Sequence, residues 1–126
     1  MRIAQIPAFL ILAAAAVTTA TAAADTVKVF VLAGQSNMEG KASNELISHQ
    51  ATDGKTSSYF EHLRKDGEWT VRDDVFIKFL ERKGGLTIGY GSPTKTGTEL
   101  EFGHMMGERF EDPVLLIKAA WGGHSL

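Results

Sequence analysis

The chain of 126 residues contains no cysteine, so neither a disulfide framework nor a thiolate metal site is open to it. No charge of one sign dominates: the formal net charge is −2 at pH 7. A mildly acidic chain lacks the basic surface that nucleic-acid binding requires. We therefore expect no nucleic acid among its partners.

Metal-ligand spacing is also missing. The four histidines, at positions 49, 62, 104 and 124, form no pattern such as His-x-x-x-His. The segment from Gly34 to Lys41 departs from a phosphate-binding loop, because Ala42 stands where the magnesium-binding hydroxyl is needed. We expect neither a metal nor another cofactor.

Long hydrophobic runs are few, and the main one lies at the N-terminus. Residues 8–17 are continuously apolar, which is too short to span a bilayer. Arg2 precedes this run, and Ala22-Ala23-Ala24 follows it as a small-residue cleavage site before Asp25. A positive start, an apolar run and small residues are the three parts of a secretory signal peptide.

This pattern predicts a domain organisation and a location. Residues 1–24 are expected to be a signal peptide, and residues 25–126 to be one domain. The protein is then exported, to the periplasm or the medium, and keeps no stable membrane span after cleavage. An uncleaved anchor or an internal helix is the alternative reading of the N-terminus.

Short apolar segments alternate with polar ones along the rest of the chain. Strands are predicted at 27–33, 75–80 and 114–120, and 86–90 continues the sheet or forms a hairpin. A helix is predicted at 98–110. Nearly continuous apolar strands are typical of a parallel sheet covered by helices, so we predict an α/β layered fold.

Three smaller expectations accompany this outline. Thr98 and Glu101 match a capping box at the start of the helix. Residues 37–50 are predicted to be loop with a short helical turn. Because the chain ends directly after a buried strand, with a sheet face left uncovered, we expect it to be a truncated domain.

Ser36 is the main candidate for chemistry. It follows an apolar run that stops at Gly34, and a glycine there lets the backbone turn sharply after the strand. A serine in this position is suited to nucleophilic acyl transfer, provided that a general base lies within reach. The alternative is a serine helix cap without chemistry. The usual Gly-x-Ser-x-Gly motif is not met, because Met38 replaces its second glycine.

Three segments carry a resemblance to a known family. Residues 30–40, Phe-Val-Leu-Ala-Gly-Gln-Ser-Asn-Met-Glu-Gly, closely resemble the first block of the sialate O-acetylesterase-like family. Residues 97–103 resemble its second block, Gly-Pro-Glu-x-x-Phe-Gly, with Thr98 in place of proline. Residues 117–126 resemble the following strand and its Trp-Gly-Gly-Lys-Ser-Leu segment, with His124 in place of lysine. The three matches occur in the family's order.

The resemblance implies a fold and an activity. Members are SGNH-type hydrolases, so a flavodoxin-like three-layer α/β/α sandwich with a mainly parallel sheet is implied. The family includes carbohydrate acetylesterases that act on acetylated xylan or sialic acid. An acetylated carbohydrate is therefore the implied substrate, and no cofactor is implied.

The resemblance also implies residue roles. Ser36 would be the nucleophile, and its own N–H would be one oxyanion donor. The N–H of Gly97 would be the second donor. Gln35, Asn37 and Trp121 are the implied substrate-binding residues.

The family's third block and its final Asp-x-x-His have no counterparts up to Leu126, and none of the four histidines has an Asp-x-x-His context. We therefore expect the catalytic aspartate and histidine beyond Leu126. His124 is interpreted as a substitution at a surface or substrate-rim lysine position, and His104 as packed or solvent-facing. Glu99 and Glu101 are interpreted as capping and structural hydrogen-bonding groups.

Two other functions stay open. One is a catalytically incomplete remnant that binds carbohydrate, for which Trp121 offers a stacking face. The other is an SGNH hydrolase of lipid or thioester substrates, which requires an apolar acyl pocket.

Overall fold

A mixed four-stranded sheet forms the centre of the computed structural model, which describes residues 26–123. The expected signal peptide and His124 lie outside the described residues. The strands and helices, in chain order, are β1 Lys28–Gly34, α1 Ser36–Glu39, β2 Ala42–Ser43, α2 Asn44–Gln50, β3 Arg64–Lys65, β4 Glu68–Trp69, β5 Val75–Phe79, β6 Arg82–Gly85, β7 Lys95–Thr96, α3 Glu99–Arg109 and β8 Val114–Ala120, with short 3₁₀ helices at Ser57–Tyr59 and Glu61–Leu63.

The central sheet has the strand order β1-β8-β5-β6. β8 is parallel to both of its neighbours, and β6 pairs antiparallel with β5. The three strands predicted from their apolar runs are confirmed, and the α/β class with them. Gly34 lies opposite Ala120 in the register of β1 and β8, so the carboxyl ends of these strands meet at one edge.

One face of the sheet carries the hydrophobic core. Val75, Ile77, Val114 and Leu116 are almost completely buried there, and Leu86 packs with them. α3 lies close over this face because Gly103 has no side chain. A Cβ at Gly103 would be 2.2 Å from Cδ2 of Leu86 and 2.9 Å from Cδ1 of Leu116.

The opposite face is open among residues 26–123. Val31 is 64% exposed and its register partner Ile117 39% exposed, and Val29 and Phe76 are exposed as well. Within the described residues the fold therefore has two layers, and the third layer of the sandwich stays a prediction. No helix within 26–123 is long and apolar enough to cross a membrane.

Two secondary-structure predictions are wrong in detail. Residues 86–90 do not form a strand; the partner of β5 is the earlier segment Arg82–Gly85. Leu86 instead enters the core, and the positive φ of Gly89 (96°) then turns the chain away from the sheet. Residues 37–50 contain more helix than expected, since they form most of α1 and all of α2.

The helix predicted at 98–110 is confirmed as α3, but its capping box is absent. Thr98 has helical φ and ψ of −66° and −16°, whereas a capping side chain requires an extended residue. Its Oγ1 contacts Sδ of Met38 at 3.4 Å. Oε2 of Glu101 lies 2.8 Å from Nε2 of His62. Both side chains therefore serve tertiary contacts.

Candidate active site

Ser36 lies at the carboxyl end of β1 and is the first residue of α1. Gly34 permits this sharp change of direction, because a Cβ there would be 2.8 Å from Cβ of Met38. Ser36 is partly exposed, and its hydroxyl forms no hydrogen bond with any of residues 26–123. The side chain is thus presented at the sheet edge without an internal partner.

The segment around Gly97 lies directly against α1. Gly40, which ends α1 with a φ of 95°, packs on it so closely that a Cβ would be 2.5 Å from the Gly97 nitrogen. The Gly97 N–H donates to Oε1 of Glu99 at 2.8 Å. Two glycines thus bring the Gly97 amide next to the helix that carries Ser36.

The segment after β8 reaches the same edge. The Trp121 N–H donates to the Gly34 carbonyl at 3.3 Å, and the Gly122 N–H donates to Oε2 of Glu39. Trp121 is 49% exposed. All three segments that carry the sequence resemblance therefore converge at the carboxyl ends of β1 and β8.

A cavity of about 500 Å³ opens at this edge. Its lining residues are small or polar: Asn37, Lys41, Ala42, Thr96, Gly97 and Thr98. Asn37 and Gly97, two of the predicted site residues, thus share one cavity. Gln35 is exposed at the N-cap position of α1, without a side-chain bond to the helix. Gln35, Trp121 and Ser36 itself are not among the lining residues, although Asn37, next to Ser36, is.

Glu39 connects these segments through its side chain. Its carboxylate accepts hydrogen bonds from Ser92 Oγ at 2.6 Å, from Lys41 Nζ at 3.0 Å and from the Gly122 N–H. The hydrogen bond from Ser92, with that from Lys41, lowers the pKa of the Glu39 carboxyl to about 2. Glu39 is therefore ionised throughout the neutral range.

A buried ion pair lies beneath the site. Nζ of Lys118, in β8, is 2.7 Å from Oε2 of Glu99, and both side chains are 0% exposed. Burial lowers the pKa of Lys118, and the Glu99 carboxylate opposes that shift. Glu99 thus has the structural role that was expected for it.

Sequence reasoning did not identify Glu39 or Lys118 as site residues. For Lys118 a signal existed, since it is the one charged residue of the apolar strand β8. For Glu39 we find none, because its partner Ser92 is 53 residues away in the chain.

The described histidines form no hydrogen bond with Ser36. His49 is exposed on α2, and Nε2 of His62 pairs with Glu101. His104 is 4% exposed, and its Nε2 has no hydrogen-bond partner. Burial lowers the pKa of His104, and the neighbouring Arg72 guanidinium lowers it further. Residues 26–123 contain no group of three His, Asp or Glu side chains arranged to hold a metal ion.

Comparison with known proteins identifies the family of the chain. No curated protein and no solved structure matches it significantly. A family model does match, over residues 26–126, and it describes a carbohydrate esterase, sialic acid-specific acetylesterase. This match includes all three segments that meet at the candidate site, and it confirms the resemblance found in the sequence. The chain therefore belongs to the sialic acid-specific acetylesterase (SASA) family of carbohydrate esterases.

Proposed function

We propose that the protein is a serine esterase that removes O-acetyl groups from carbohydrates, with Ser36 as the nucleophile. The observation that carries this proposal is the convergence of the three family segments around Ser36, at one edge of the sheet. Ser36 Oγ attacks the acetyl carbonyl while a histidine accepts its proton. The sugar hydroxyl leaves with that proton, and water then hydrolyses the acetyl-serine to acetate.

The oxyanion of the tetrahedral intermediate needs preorganised donors. The Ser36 N–H is the first of them, because it lies at the start of α1 and has no acceptor among residues 26–123. The Gly97 N–H is the second. It now donates to Glu99, so it reaches an oxyanion only by sharing or leaving that acceptor.

The general base of this mechanism is the histidine of the Asp-x-x-His segment that the family resemblance implies. In support of this, the described histidines, His49, His62 and His104, form no hydrogen bond with the Ser36 hydroxyl. The N-terminal signal pattern supports an exported enzyme.

The cavity supports a sugar substrate more than a lipid or a thioester. Three of its six lining residues, Asn37, Lys41 and Thr98, carry polar groups that can meet sugar hydroxyls, and none of the six is a large apolar side chain. A long acyl chain needs an apolar lining instead. Gln35, Asn37 and the exposed face of Trp121 are the proposed sugar contacts.

The test is Ser36→Ala in the full-length natural protein, assayed with O-acetylated sugars and with octanoyl esters. Removing the nucleophile is expected to lower kcat/KM for acetyl esters by at least about 10³-fold. Ser58→Ala, at an exposed serine outside the cavity, is the matched control and should keep full activity. An unchanged rate in Ser36→Ala excludes the mechanism. Sugar binding without hydrolysis in the parent protein points to the remnant, and a preference for octanoyl esters points to the lipid hydrolase.

A further inference from the structure

The buried Lys118 ammonium uses all of its hydrogen-bond donors within the protein. A lysine ammonium has three N–H donors. In this structure Nζ of Lys118 has three acceptors: the Glu39 carbonyl at 2.7 Å, the Tyr90 carbonyl at 2.8 Å and Oε2 of Glu99 at 2.7 Å. It also lies 4.9 Å from the ring centre of Phe79, its register partner in β5. Every donor of a fully buried cation is therefore used.

One of these acceptors belongs to the helix that carries Ser36. α1 is a single turn with no fully buried residue, although its Met38 packs partly buried against the core. A helix this short depends on contacts from outside itself to stay in place. The carbonyl of its last residue, Glu39, is one that a helix leaves without an internal partner. Lys118 supplies that partner from the central strand of the parallel part of the sheet.

The same ion pair reaches the second side of the site. One carboxylate oxygen of Glu99 accepts from Lys118, and the other accepts the Gly97 N–H at 2.8 Å. Lys118 is therefore bonded directly to the end of α1 and, through one carboxylate, to the Gly97 turn. These are the two backbone segments whose distance defines the proposed oxyanion site.

A buried ion pair of this kind is poorly explained by stability alone. Desolvation of the two charges offsets most of their attraction, and apolar residues of similar volume often stabilise a protein as well or better. What an apolar pair lacks is a directed donor to the Glu39 carbonyl.

We propose that Lys118 is a positioning residue for the nucleophile, holding α1 and thereby Ser36 at a set distance from Gly97. This inference rests on the proposed function. Lys118 does not touch the substrate: it acts through the Glu39 carbonyl and through Glu99.

The test distinguishes the loss of the hydrogen bond that positions α1 from the loss of the Lys118–Glu99 ion pair. In the full-length protein, Lys118→Met alone leaves the Glu99 carboxylate buried without its cation and is expected to destabilise the fold. The double variant Lys118→Met with Glu99→Gln removes both charges and should recover most of the lost melting temperature. It still lacks the donor to Glu39, so kcat is expected to fall about 10- to 100-fold while KM stays within about twofold.

Two comparisons make the result specific. Lys118→Gln with Glu99→Gln is also uncharged but keeps a donor at position 118, and it should recover part of the lost kcat. Lys78→Met, at an exposed lysine of β5, should leave kcat unchanged. A double variant with methionine that keeps kcat within twofold of the parent overturns the proposal, as does failure of both double variants to fold.

A second readout does not depend on activity. The Gly40 N–H donates to the Ser36 carbonyl at 3.0 Å and so reports on the integrity of α1. Its hydrogen exchange should accelerate about tenfold in the methionine double variant, and unchanged exchange would falsify the positioning role. If the parent hydrolyses no acetyl ester, the proposed function fails, while this exchange measurement still tests Lys118.

Discussion

At the scale of single residues, Glu39 is the clearest example of a side chain whose role comes from distant partners. Its carboxylate joins α1 to Ser92, Lys41 and Gly122. These hydrogen bonds are made to the ionised form, and they lower the pKa of the carboxyl from 4.5 to about 2. The contacts therefore depend on pH.

The sign of that dependence follows from linkage. Between pH 4.5 and about 2 the unfolded chain binds a proton at Glu39 and the folded chain does not. The stabilisation is complete above pH 4.5 and is lost as the pH falls towards 2. We predict that Glu39→Gln unfolds more easily at pH 7 and loses part of the acid dependence of the parent.

Thermal unfolding followed from pH 2 to pH 7 measures this effect. Glu45→Gln is the matched control, because Glu45 is exposed on α2 and its carboxylate has no hydrogen-bond partner among the described residues. Parallel pH profiles for the parent and Glu39→Gln would contradict the prediction.

At the scale of elements, the position of α3 depends on a glycine inside a helix. Glycine lowers helix propensity by about 1 kcal/mol relative to alanine, so Gly103 is locally unfavourable. Gly103 is nevertheless needed because it lets α3 pack closely against Leu86 and Leu116, which are both fully buried.

Gly103→Ala is therefore predicted to destabilise the protein despite the gain in helix propensity. The added methyl overlaps Cδ2 of the fully buried Leu86, and overpacking costs about 1–3 kcal/mol. Denaturant unfolding gives the change in the free energy of unfolding. Gly54→Ala serves as control, because a Cβ there meets no atom within 4 Å. Equal stability of the two variants would contradict the prediction and would show that Leu86 moves to accommodate the added methyl group.

Sequence patterns found some elements and missed others for a physical reason. β1, β5 and β8 are recognisable because burial requires apolar side chains along their lengths. β6 contains Lys83, Gly84 and Gly85, which have low strand propensity, and it forms because β5 offers an antiparallel partner. α1 is one polar turn, too short to show a helical period.

At the scale of the whole molecule, the uncovered sheet face is the most unusual property of the described residues. Val29, Val31, Phe76 and Ile117 are exposed together on neighbouring strands. A contiguous apolar surface of this kind binds hydrophobic dyes and favours self-association.

We predict that residues 25–126, produced as a separate chain, bind such a dye and sediment faster than a monomer. Val31→Lys with Ile117→Lys, which places charges on a register pair of this face, should reduce both effects. Leu46→Lys, at an exposed leucine of α2, should not. The prediction is wrong if the parent binds no dye, or if the α2 variant is equally effective.

The sequence by itself determined the features that depend on neighbouring residues. The apolar runs define the three main strands, and Gly34 after the first of them places Ser36 at a sheet edge. The order of the three family segments, and hence the family, can also be read along the chain.

Only the tertiary structure decided how those segments meet. Lys118 bonds to Glu99, Tyr90 and Glu39, which are 19, 28 and 79 residues away in the chain. Gly40 and Gly97 touch because β2, which follows Gly40, pairs antiparallel with β7, which precedes Gly97. No local pattern encodes such contacts, since each depends on where the sheet places residues that are remote in sequence.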